Sequence, residues 1–100
     1  MTPKNGGKFD LKLASSAPDL ASYDAQLETG GQSYRGLVQV GPNQAGGGVD
    51  FGAWTSEGGA APPEWLLADA RAALKAALRT SRAEGRWPRR ITRWRPEPSD

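Results

Sequence analysis

From Pro62-Pro63 to Gly85 the chain carries one uninterrupted helical signal, and a lone amphipathic helix in so short a chain must bury its apolar side on something other than a second helix. Proline opens a helix without wasting an N–H group, because the first turn's donors have no partner within the helix. Leu67, Ala70, Leu74, Ala77, Leu78 and Ser81 then gather on one side at helical spacing, with Leu66 at the margin. Glu64 and Asp69 lie near the positive end of the helix dipole, Arg79 and Arg82 near the negative end, and Gly85 supplies a stop. The spacing predicts a helix from about Pro63 to Ala83.

What the helix packs on is written in the first half of the chain as period-2 alternation, the mark of half-buried strands. Lys8 to Ala14 alternates Phe9, Leu11 and Leu13 with Lys8, Asp10 and Lys12, and Ser22 to Thr29 places Tyr23, Ala25 and Leu27 on one side. Gly30-Gly31 suits a tight hairpin turn into a third strand, Tyr34 to Val40, and after the Gly-rich loop Gly41 to Gly48 a fourth runs from Val49 to Thr55. Opposing Val40 to Val49 brings Val38 to Phe51 and Gly36 to Ala53, and puts Arg35 near Trp54 on the other face. Gly36 and Gly52 suggest a bulge or a bulky neighbour close by. Beyond the helix, Arg90 to Arg95 reads as a short edge strand, with Pro88 before it.

The expected fold is therefore α+β: a four-stranded antiparallel meander, one amphipathic helix packed on one sheet face, and a short C-terminal edge strand. Residues 8–95 form the single domain, with residues 1–7 and 96–100 expected to be disordered. Leu, Ile, Val and Phe number fifteen, so the core is small. It is expected to comprise Phe9, Leu11, Leu13, Tyr23, Leu27, Val38, Val40, Val49, Phe51, Leu67, Leu74 and Leu78, closed by Ile91 and one of Trp87 or Trp94. Trp65 and Trp87 are read as caps on the two ends of that core. No apolar run is long enough for a signal peptide or a membrane helix, and the expected location is cytoplasmic.

The sequence contains neither histidine nor cysteine, which removes thiol nucleophiles, histidine-based triads and the usual zinc sites. No cofactor is expected and no enzymatic activity. Gly41-Pro42-Asn43-Gln44-Ala45-Gly46 resembles the opening of a phosphate loop, but Gly47 and Gly48 stand where Lys and Ser or Thr are needed. Asp10, Asp24, Glu28 and Asp50 fall on outward strand positions, where carboxylates keep a sheet face solvated.

Charge is the remaining signal. Nine of the thirteen Lys and Arg residues lie between Glu64 and Arg95, against three carboxylates there, while the whole chain is only +2. Arg71, Lys75, Arg79 and Arg82 form a stripe on the helix, and Arg89, Arg90, Arg93 and Arg95 accompany Trp87 and Trp94. These arginines and Lys75, with Trp94, are the candidate binding residues. Three readings stay open. The basic groups simply solvate a helix and guard an edge strand. They bind an acidic protein partner, or the chain self-associates through Leu37 and Trp54 on the open sheet face, as a homodimer. They hold single-stranded nucleic acid, arginines on phosphates and Trp on bases, with little sequence specificity. Four strands followed by a helix occur in several single-stranded nucleic-acid-binding folds, but none of their residue motifs is present. The favoured expectation is a small non-catalytic binding module using this surface.

Overall fold

The computed structural model describes residues 6–44 and 48–96. In chain order these form β1 (Gly6–Ala17), β2 (Leu20–Thr29), β3 (Gln32–Val40), β4 (Val49–Ser56), α1 (Glu64–Glu84) and β5 (Arg90–Pro96). The five strands make one antiparallel sheet in the order β4-β3-β2-β1-β5, with α1 packed across one face. The expected α+β architecture is the one observed. β1 starts at Gly6 and β5 runs to Pro96, so Gly6, Gly7 and Pro96 belong to the sheet rather than to disordered ends. The rest of both termini, and residues 45–47 of the loop that begins at Gly41, lie outside the described residues.

The helix is bounded as its sequence dictates. Pro63 precedes it, its carbonyl accepting from the N–H groups of Leu66 and Leu67, and Gly85 ends it in the left-handed region at φ 76°, donating its N–H to the Ser81 carbonyl. Its buried line is Leu66, Ala70, Leu74, Ala77 and Ser81, with Leu67 and Leu78 only partly covered. The line is rotated from the one expected because Gly7 has no Cβ. A methyl group there would come within 2.9 Å of the Trp65 ring and 3.0 Å of the Leu66 side chain, so the bare strand lets the first helical turn settle directly onto β1.

Opposite the helix the sheet contributes Phe9, Leu11, Tyr23, Leu27, Tyr34, Val38, Val40 and Val49, all buried, with Ile91 from β5. Leu13 and Phe51, expected in the core, pack at its margin. Two irregularities shape it. Ala14 is an extra residue in β1, between the pairs Leu13–Tyr23 and Ser15–Ser22. In β4, Gly52 and Ala53 together oppose Leu37, so Trp54 pairs with Gly36 instead of Arg35. That extra residue turns Trp54 onto the helix side. Its ring lies against Phe51, centroids 5.7 Å apart, over a position where any Cβ would be 2.7 Å from the indole. The expected Gly36–Ala53 pairing and the Arg35–Trp54 contact are thus replaced, one residue out of step.

Candidate functional site

β5 presents different residues to each side of the sheet. Ile91 is buried under the helix and Arg93 and Arg95 share its parity, whereas Arg90, Thr92 and Trp94 point to the open face. Trp94 lies over Gly6 and is 48% exposed, so it is Trp87, at 8%, that closes the core. The Trp87 indole N–H donates to the Ala17 carbonyl at 3.2 Å, covering the end of β1 beyond the reach of β5. The Tyr23 hydroxyl donates to the Pro88 carbonyl at 2.7 Å, and burial pushes its pKa up to about 12. Together these two contacts fix where the chain leaves the helix and enters β5.

The expected single basic surface is divided in two. Arg71 donates to the Val49 carbonyl at 2.9 Å and stands 4.9 Å from the Phe51 ring centroid, both on β4. Lys75, Arg79 and Arg82 follow it at helical spacing on that side of α1. Arg89, Arg90, Arg93 and Arg95 lie along the opposite flank of the helix, at the sheet edge four strand spacings or roughly 19 Å from β4. The helix intervenes, so the two groups do not form one patch.

Within the β5 group the arginines differ. Arg90 makes a bidentate pair with Asp10, at 2.9 and 2.7 Å, and Thr92 donates to the same carboxylate at 3.1 Å. Arg95 approaches Asp69 at 4.0 Å, and Arg93 donates to the Thr92 carbonyl at 2.9 Å. Arg89 and Arg93 have no carboxylate partner among the described residues. A groove of about 430 Å³ runs between β5 and α1, floored by Ala72, Ala73, Ala76 and Ala77 and walled by Arg93 and Arg95. A second cavity, about 870 Å³, lies beside Leu13, Pro18, Trp87 and Arg89 where the helix ends.

Asp10 was legible only as a solvated carboxylate, because its partner is eighty residues away in sequence and is supplied by the β1–β5 register. The hydrogen bonds from Arg90 hold it below the usual carboxylate range against the opposing effect of burial, helped to a lesser degree by the Thr92 hydroxyl and the nearby positive charges of Arg90 and Lys12. A depressed carboxylate pKa stabilises the fold fully above the unfolded value of about 3.9 and loses that contribution as pH falls through the folded value. Asp10→Asn is therefore expected to be less stable than the parent at neutral pH. The gap in urea midpoint should close as the pH is lowered below about 4.

The open face carries both signs in alternation, with Lys8 opposite Glu28 and Lys12 opposite Asp24. Of the residues expected to drive self-association, Leu37 is there and 46% exposed, but Trp54 is on the helix side because of the β4 bulge. Tyr34 is buried in the core. Leu37 and Trp94, the exposed large apolar residues among those described, occupy separate corners roughly 20 Å apart by strand spacing and rise. Among the described residues no group of acidic side chains is placed to hold a metal, and no helix is long and apolar enough to cross a membrane. The chain that follows Gly48 is strand β4, not the helix a phosphate loop requires.

Compared with protein-family models, curated proteins and solved structures, the chain matches none.

Proposed function

We propose that this chain is a non-catalytic cytoplasmic binding module that takes an acidic protein partner along β5. The observation that carries the reading is the concentration of Arg93, Arg95 and exposed Trp94 along one edge strand, with Arg89 just before it, and with Arg89 and Arg93 lacking carboxylate partners among the described residues. Arginine and tryptophan are among the residue types enriched at protein interfaces, and guanidinium forks without a carboxylate partner suit carboxylates bidentately. Arg90 is not part of this set, since Asp10 already occupies it, and Arg71, Lys75, Arg79 and Arg82 lie beyond the helix.

The same geometry disfavours the other two occupants. A nucleic-acid strand stacked on Trp94 would run across a face where Asp10, Asp24, Glu28 and Asp50 alternate with the cations, which repels a continuous phosphate backbone. A sheet-on-sheet homodimer would need a contiguous apolar patch, and Leu37 and Trp94 do not adjoin.

The test is titration of the full chain with a glutamate-rich peptide and, separately, with single-stranded oligothymidylate, following Trp fluorescence. The peptide is expected to bind, more weakly at high salt. Arg89→Ala with Arg93→Ala should weaken it on the order of tenfold or more, as for loss of charge-assisted hydrogen bonds. Arg79→Ala, on the far side of the helix, should leave affinity unchanged. Binding of the oligonucleotide in preference to the peptide, or equal loss from Arg79→Ala, would overturn the assignment.

A further inference from the structure

The backbone of β5 specifies how such a partner would attach. The Leu13 N–H donates to the Arg89 carbonyl at 2.8 Å, which makes Leu13 and Arg89 a hydrogen-bonded pair of the β1–β5 ladder. Antiparallel pairs alternate, so Arg89, Ile91, Arg93 and Arg95 turn their N–H and C=O groups toward β1, while Arg90, Thr92 and Trp94 turn theirs away from the sheet. The Arg93 guanidinium reaching the Thr92 carbonyl agrees with this parity, since that carbonyl must face outward to be reached. Pro96 shares the outward parity and has no N–H to offer, and Pro88 stands before the strand with its carbonyl taken by the Tyr23 hydroxyl, so the pairing window is Arg90 to Trp94.

The opposite edge is not equivalent. Each edge has one outward carbonyl taken by an arginine, Val49 by Arg71 on β4 and Thr92 by Arg93 on β5, but on β4 the Gly52–Ala53 bulge also breaks the line of the strand. β5 is regular through its whole length against β1.

We propose that an extended acidic segment of the partner adds to β5 as a sixth antiparallel strand, pairing with the outward backbone groups of Arg90, Thr92 and Trp94. The proposal rests on the acidic-partner reading above and gives it a binding mode. Side chains of an added strand alternate between the sheet's two faces in step with β5. Every second one falls on the helix side beside Arg93 and Arg95, at the alanine-floored groove, and the intervening ones fall beside Thr92 and Trp94. Charge complementarity then sets the sequence class: acidic residues two apart, separated by aliphatic or aromatic ones. A carboxylate opposite Arg93 draws its guanidinium off the Thr92 carbonyl and frees that acceptor for the incoming N–H.

The experiment uses the full chain and a short peptide alternating glutamate and valine, in unmodified form and in two forms N-methylated on one or the other set of alternate amides. Strand addition requires one methylated form to bind on the order of tenfold or more weaker, because only one set of amides faces β5, while the other keeps the parent affinity. The N–H groups of Arg90, Thr92 and Trp94 should gain hydrogen-exchange protection in the complex. Equal, salt-sensitive binding of both methylated forms with no new protection would overturn strand addition and leave the acidic-partner reading standing. Failure of all three peptides to bind would remove both.

Discussion

Trp87→Ala is expected to lower folding stability by about 3–5 kcal/mol, the range for emptying a buried aromatic site. The indole is 8% exposed and ties two separate parts of the chain together, since it follows the helix cap at Gly85 and donates to the Ala17 carbonyl at the end of β1. Domains of this kind are stable by only about 5–15 kcal/mol, so the variant should be largely unfolded by mild urea. Trp87→Phe keeps most of the packing and loses the hydrogen bond, and about 1 kcal/mol is expected for it. Urea midpoints at constant slope distinguish the two. Equal, small losses for both would mean that the indole merely lies on the surface of the core.

A comparable loss, about 2–5 kcal/mol, is expected for Leu74→Ala at the middle of the helix and, less obviously, for Leu66→Ala. Both side chains are fully buried, while Leu67, one position on, is only partly covered. Leu67→Ala should therefore cost clearly less than Leu66→Ala. Helical periodicity alone ranks these two the other way, since Leu67 falls nearer the centre of the apolar arc. The measurement thus reports whether the helix is rotated onto Gly7 as described. A larger loss at Leu67 would show that it is not.

Elements were legible where a local pattern and a burial pattern coincide. The alternation of Phe9, Leu11 and Leu13 against Lys8, Asp10 and Lys12 marked β1, though not its extension to Ala17, where the added residues are exposed and held by pairing rather than by burial. The candidate site was legible as composition only. Arg90 and Arg93 look alike in sequence, yet one is occupied by Asp10 and the other has no carboxylate, because the β1–β5 register delivers Asp10 to the open face alone. Arg71 and Arg93, which looked like members of one surface, each reach an outward carbonyl on opposite edges of the sheet.

By itself the sequence determined the kind and order of the five strands and the helix between Glu64 and Glu84. Period, proline and glycine act within a few residues, and their free energies do not depend on what lies across the fold. The tertiary structure alone decided which leucine faces the core, which side of the sheet Trp54 occupies, and which arginines share an edge. The first two turn on a displacement of one residue, a missing Cβ at Gly7 and a bulge in β4, which rotates a helix or reverses a strand's faces without altering any local preference, and the third turns on the pairing of β5 with β1 across eighty residues.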